Sequence, residues 1–201
     1  MKEPFAAYVE KEYGADPVVI ACGLPATNKT ETMEVVERLK RYRMLRTDLI
    51  RREILKGEDI FDEKVASSME KRTLVYDEMF RLAAETVAAG RGVILDATFV
   101  SQELRARAAE VASRHGKVLV IQQTRCLQEY SLHKISKRTR EDYESNALTP
   151  QAYFNNKRKF EPVDLDDLKA RFPELRIMHL IVDTSSDREE DWYVVEREER
   201  G

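Results

Sequence analysis

Short apolar runs recur along the chain at 18–22 (VVIAC), 92–97 (GVILDA), 117–122 (KVLVIQ) and 176–182 (RIMHLIV), with a more mixed run at 42–47 (YRMLRT). Runs of this length, without polar alternation, predict strands buried on both faces. Between them the apolar positions follow helical spacing: Met33, Val36 and Leu39 after the first run, Leu49, Ile50 and Ile54 after the second. Leu74, Met79, Leu82, Ala83 and Val87 predict one long helix or two over 61–89, ended by Gly90. Ser101, with Glu103 in the first turn, opens a helix that Gly116 closes, and Leu132 and Ile135 mark another over 127–138. Further helices are expected at 150–160, with Tyr153, Phe154 and Phe160, and at 165–172. Phe5, Tyr8 and Val9 are spaced to dock a short helix within 1–15, whereas 187–201, charged around Trp192, Tyr193 and Val194, reads as a closing helix or a frayed tail. Five strands alternating with helices predict an α/β fold with a parallel sheet covered on both faces.

The first run leads into Gly23-Leu24-Pro25-Ala26-Thr27-Asn28-Lys29-Thr30 and then a helix. A phosphate-binding loop requires Gly, four variable residues, Gly, Lys and Ser or Thr between a strand and a helix. Every defining position matches except the second glycine, where Asn28 stands. Backbone amides that curl around a phosphate need a residue tolerant of unusual dihedrals before the lysine, and Asn is the next most tolerant after glycine. In a working loop Lys29 reaches the terminal phosphates, Thr30 ligates magnesium, and the helix amino terminus adds free N–H groups.

Other candidates fall at predicted strand ends, the edge where open parallel sheets hold ligands. Asp48 follows the second strand with Arg51 one helical turn on. That carboxylate suits proton acceptance from a hydroxyl and that guanidinium an oxyanion; capping the helix is the competing job for Asp48. Asp96 ends the third strand, where a carboxylate orients magnesium or its water. His133, Lys134, Lys137, Arg138 and Arg140 form a cationic set leading into a polar stretch, and 138–150 is expected to be a lid carrying charge onto a bound nucleotide.

Composition narrows the setting. A chain of 201 residues suits a single domain, here 1–201 with a core over 17–183. The net charge of -3 excludes little, but basic residues crowd Arg41 to Arg52 and Lys157 to Lys159, which leaves a nucleic-acid 5′ hydroxyl open as an acceptor without pointing to it. Cys22 and Cys126 match no metal spacing or disulfide framework, which fits a reducing compartment. No run approaches the roughly 20 apolar residues of a membrane span, and the first twenty residues lack a leader's apolar core. A cytoplasmic protein is expected.

On GLPATNKT at 23–30, TDLIR at 47–51, VILDATF at 93–99, the arginine-bearing lid ending in Ser145-Asn146-Ala147, and FEP at 160–162, the chain resembles the kinase-like P-loop ATPases of the zeta-toxin and polynucleotide-kinase type, which carry the AAA-family name. It looks most like the ATP-binding half fused behind aminoglycoside-phosphotransferase-like domains. The resemblance implies a P-loop NTPase fold of three α/β/α layers, five parallel strands in the adenylate-kinase-like order 2-3-1-4-5, and a small helical lid. It implies ATP and Mg2+ as cofactors, with Lys29 and Thr30 on phosphate and metal, Asp48 as general base, Arg51 on substrate or phosphate, Asp96 assisting the metal, and Arg138 and Arg140 as lid arginines. Two departures stand out: Asn28, and Ala26 with Thr27 where the group has Gly-Ser or Gly-Thr. The expected function is transfer of the ATP γ-phosphate to a hydroxyl of a small molecule or nucleic-acid end. The alternative is a weak or inactive nucleotide-binding module acting through a protein partner.

Overall fold

The protein was analysed as a computed structural model that describes residues 2–57, 68–138 and 149–201. The chain runs β1 (Glu3–Pro4), α1 (Phe5–Glu12), β2 (Val18–Cys22), α2 (Lys29–Lys40), β3 (Arg43–Arg46), α3 (Thr47–Ile54), α4 (Met69–Ala88), β4 (Val93–Asp96), α5 (Gln102–Arg114), β5 (Leu119–Arg125), α6 (Gln128–Ser136), α7 (Pro150–Lys159), α8 (Leu165–Arg171), β6 (Ile177–Asp183) and β7 (Tyr193–Arg200). The sheet order is β1-β7-β6-β5-β2-β4-β3. Its five parallel strands, β3-β4-β2-β5-β6, are the five apolar runs, and numbered among themselves they stand in the order 2-3-1-4-5.

β2 lies at the centre because it can be buried on both sides. Val18, Ile20 and Cys22 pack into one core with α4, α5 and α8, while Val19 and Ala21 pack into the other with α1 and α2. This produces the three α/β/α layers of a P-loop NTPase. Every residue of VVIAC is apolar and none is left for solvent, as a doubly covered parallel strand requires. Phe5, Tyr8 and Val9 of α1 are buried as their spacing predicts.

Among the described residues the sheet has seven strands rather than five, and the segment expected as a closing helix or frayed tail holds β7, antiparallel to β6, with β1 antiparallel to β7 beyond it. Val194 is buried, but most of YVVEREER is charged, so apolar patterning gives little strand signal. The strand holds through its pairing with β6 and through side-chain ion pairs, Arg197 to Glu12 at 3.1 Å and Arg200 to Asp166 at 2.8 Å. Charges on an outer strand also discourage pairing with other chains.

Two residues fall off the faces expected of them, although Met79, Ala83 and Val87 are buried and Leu82 packs against the core as their spacing predicts. Leu74, expected on the apolar face of α4, is 49% exposed, and Val75 and Tyr76 are buried in its place. Phe154 of α7 is 39% exposed while Tyr153 is buried. The expected helix over 61–89 is described from Met69 onward, and its earlier part lies outside the described residues.

Candidate active site

The loop after β2 turns under tight constraints. Gly23 has φ of 139°, and a Cβ there would meet Thr124 Oγ1 at 2.7 Å and Thr124 O at 2.8 Å, so only glycine fits. Ala26 and Asn28 follow with φ of 57° and 56°. A left-handed alanine costs on the order of 1–2 kcal/mol and asparagine less. Neighbouring strand ends hold the shape: Thr27 Oγ1 bonds Leu24 O at 2.8 Å and Thr124 Oγ1 at 2.7 Å, and Thr184 Oγ1, just past β6, donates to Thr27 O at 2.9 Å.

Asn28 departs from the motif in identity but keeps the conformation. It adopts the left-handed region a second glycine would supply, and its side chain turns out of the loop to donate from Nδ2 to Thr184 O at 3.0 Å and Ser186 O at 3.3 Å. α2 begins at the next residue. Its first ladder bond runs from Thr32 N–H to Asn28 O, so the amides of Lys29, Thr30 and Glu31 precede the ladder and face the loop's hollow, where an anion is favoured. Lys29 Nζ lies across the loop, donating to Leu24 O at 2.6 Å. Burial lowers the Lys29 pKa, against the pull of Asp96 and Glu31.

The Thr30 hydroxyl donates to Asp96 Oδ2 at 2.8 Å. Burial raises the Asp96 carboxyl to about 6, opposed by the Thr30 hydrogen bond and the charges of Lys29 and Arg46. Asp48 lies in the first turn of α3 rather than at the strand end, and the residue in the capping position is Arg46, so Asp48 does not serve as the helix cap. It is half-buried. Burial raises its pKa, while Arg51, Arg46, Lys29 and Arg138 pull it down. Thr47 Oγ1 donates to Asp96 O at 3.3 Å, fastening α3 to the end of β4.

The structure thus brings Lys29, Thr30, Asp48, Arg51, Asp96 and Arg138 near the phosphate loop at the carboxyl edge of the sheet, with Thr30 bonded to Asp96 and the charges of Lys29, Arg51 and Arg138 acting on Asp48. Arg140 and residues 139–148 of the lid expected over 138–150 lie outside the described residues. Sequence reasoning passed over three contributors. Arg46 pairs in register with Asp96 and places Nε 3.6 Å from Asp96 Oδ2; that Nε is buried and has no hydrogen-bond partner among the described residues. Its place across from Asp96 comes from strand pairing and leaves no spacing in the sequence that could have signalled it. Arg105 is fully buried and donates to Phe99 O, Val100 O, Glu161 O and Pro162 O, so it holds the loop after β4 to the segment after α7. Tyr76 stacks with Phe80 and meets Phe99 edge-on, and burial raises the pKa of its hydroxyl against the charges of Arg72 and Arg51, with Asp48 adding to the rise.

The residues present fit a magnesium nucleotide. The amides at the start of α2 precede its hydrogen-bond ladder with the Lys29 ammonium lying across the loop, and Arg46 Nε, beside the Asp96 carboxylate, makes no hydrogen bond among the described residues. Thr30 and Asp96 supply hard oxygen donors, and among the described residues no group of three or more His, Cys, Asp or Glu could cage a metal. A small protein donor set completed by water and substrate phosphate is how magnesium is usually held.

The model of the AAA domain family matches residues 18–163. Among solved structures, the chain is similar to a sugar kinase from Janibacter sp. HTCC2649 at 14% identity and a TM-score of 0.60, covering 84% of this chain and 86% of that one. A gluconokinase from Sinorhizobium meliloti 1021 is 13% identical with a TM-score of 0.55, covering 86% and 85%. The PezAT chromosomal toxin-antitoxin system of Streptococcus pneumoniae is 12% identical with a TM-score of 0.56, covering 93% and 74%. At these identities the likeness is one of fold. None of the curated protein sequences compared matches the chain. With a strand-loop-helix phosphate cradle at the centre of a 2-3-1-4-5 sheet and the family model spanning most of its length, the chain belongs to the AAA domain family, as a kinase-like P-loop ATPase.

Proposed function

We propose that the protein is an ATP-dependent phosphotransferase that passes the γ-phosphate of ATP to a hydroxyl of a small molecule. The carrying observation is the placement of Asp48, half-buried and under the influence of Lys29, Arg46, Arg51 and Arg138, beside the phosphate cradle rather than in a capping role. A carboxylate whose pKa burial raises is a better proton acceptor than an exposed one, and the cations around it favour its ionised form. The kinase neighbours, whose names denote a sugar kinase and a gluconokinase, favour a small polyhydroxyl acceptor over a nucleic-acid end.

In this reading Lys29 and the amides at the start of α2 hold the terminal phosphates, and Thr30 and Asp96 hold magnesium, which when bound neutralises charge on the phosphates. Asp48 takes the proton of the acceptor hydroxyl at its carboxylate oxygen. Arg51 and Arg138 balance charge on the transferring group, so the chain's contribution is positioning and fixed electrostatics. Asn28 was the reason to consider an inactive module. Its left-handed backbone and outward side chain support a cradle that keeps its shape.

The test is transfer of label from γ-labelled ATP, with magnesium, onto a panel of sugars, polyols, sugar acids and nucleosides. Label moves to at least one hydroxyl compound, and Asp48→Asn slows that transfer roughly 10² to 10⁴-fold with little change in ATP binding. Transfer at an unchanged rate in the variant removes Asp48 from the mechanism. Tight ATP binding with no transfer to any hydroxyl favours the inactive module.

A further inference from the structure

The Asn28 side chain does more than avoid the phosphate hollow. It is 2% exposed and all of its polar capacity is directed. Two carbonyls, Thr184 O and Ser186 O, face one end of the amide, and the Lys134 ammonium faces the other. Carbonyls require a donor and an ammonium an acceptor, so this arrangement admits one orientation of the amide, with Oδ1 toward Lys134. Lys134 sits on α6, and besides Asn28 Oδ1 its ammonium lies 3.4 Å from Glu31 Oε1 on α2 and 3.7 Å from Asp187 Oδ1 past β6. One ammonium with three protein partners therefore joins the phosphate loop, the first turn of α2, α6 and the segment after β6. A glycine at position 28, which the motif prefers, has no side chain for any of these bonds.

The base of α6 is seated on the loop by apolar contact as well. Ala26 packs with Ile135 and Tyr153, and Leu24 and Leu132 pack against that cluster. Arg138 follows Lys134 by one turn, its N–H bonded to Ile135 O at 3.1 Å, and its charge acts on both Lys29 and Asp48. Fixing Lys134 on Asn28 therefore fixes where Arg138 stands over the cradle.

We infer that Asn28 and Lys134 form a positioning pair that takes the place of the second P-loop glycine, holding the loop in its phosphate-ready turn and setting α6, with Arg138, over it. The pair itself follows from geometry alone; its effect on nucleotide binding rests on the nucleotide reading of the site.

The experiment is a double-mutant cycle on the full chain with Asn28→Gly, Lys134→Met and the two combined, together with Lys134→Arg. Glycine accepts φ of 56° without strain, so Asn28→Gly removes the side chain and its bonds without adding backbone strain. Thermal melting without nucleotide and calorimetric titration with MgATP at a temperature where every variant is folded are the two readouts. Each single variant melts lower than the parent, and the double variant loses less than the sum of the two singles, because the Asn28–Lys134 bond is lost in both while the other bonds of each residue are lost separately. MgATP binding weakens about tenfold in either single variant, again with less than the summed loss in the double, and Lys134→Arg retains most of it. Additive melting shifts, or MgATP binding by Asn28→Gly as tight as or tighter than in the parent, would overturn the inference. Non-additive melting with no MgATP binding in the parent supports the pair and overturns the nucleotide reading instead.

Discussion

The Thr30 hydroxyl donates to Asp96 Oδ2 across 2.8 Å, joining the first turn of α2 to the end of β4. Two residues 66 positions apart are thereby held as one oxygen donor set beside the phosphate loop. Thr30→Val preserves shape and removes the oxygen. MgATP affinity should fall about 10- to 100-fold, the range seen when groups supporting a metal site are removed. ATP in excess EDTA should bind parent and variant alike, so that calorimetry with and without magnesium separates the two effects. An equal loss in both conditions contradicts the assignment.

Gly23→Ala tests whether the loop's first turn is as constrained as its surroundings imply. The added Cβ would stand 2.7 Å from Thr124 Oγ1 and 2.8 Å from Thr124 O, at a φ of 139°. Strain of this kind costs roughly 1–3 kcal/mol, and displacing Thr124 also breaks its bond to Thr27. The variant should show a lower melting temperature and weaker MgATP binding. A parent-like melt would mean that Thr124 moves freely, against the bracing described above.

Arg105 is a buried cation whose partners are mainly backbone carbonyls. Arg105→Met keeps the apolar packing and leaves Phe99 O, Glu161 O and Pro162 O without this donor, at a cost of about 3 kcal/mol in urea denaturation. Arg105→Lys should recover little, since an ammonium cannot span two loops as the planar guanidinium does. Full recovery by lysine would show that charge, rather than the fork of donors, is what matters.

Burial raises the Asp48 pKa above the ordinary 3.8, despite four nearby cations. A general base works ionised, so phosphoryl transfer should fall as pH drops through that raised value, on a limb lying above the ordinary carboxylate range. Stability runs the other way. A carboxyl whose folded pKa is raised destabilises the fold where it is ionised, and the penalty is relieved as pH falls through the folded value. Asp48→Asn should therefore melt higher than the parent at neutral pH while losing the acid limb of the rate profile. A variant that melts lower contradicts burial as the dominant influence.

Much of this arrangement was legible because the chain states it locally. The five parallel strands are short apolar runs, and the phosphate loop lies in one contiguous stretch after the most apolar of them. β7 was illegible because its strand character comes from pairing with β6 rather than from apolar patterning: Val194 is buried, but the charged remainder is paired with Glu12 and Asp166 from distant elements. Arg46 and Arg105 were missed for a related reason. Each acts on groups brought near by topology, Arg46 through its register with Asp96 and Arg105 through loops 56 and 57 residues away, and neither relationship leaves a spacing to read. Asn28 looked like a defect in sequence because a motif records the residue type and not the dihedral, and at 56° asparagine supplies what the position requires.

The most direct test of the account is a calorimetric titration of MgATP into the parent protein and into Lys29→Met. Lys29 is placed across the loop, and its removal should cost the terminal phosphates their nearest cation. Saturable binding at one site in the parent, weakened about 100-fold or more in the variant, is the predicted result. Equal affinity in the two proteins, or no binding to either, would contradict the assignment of this loop as a nucleotide site.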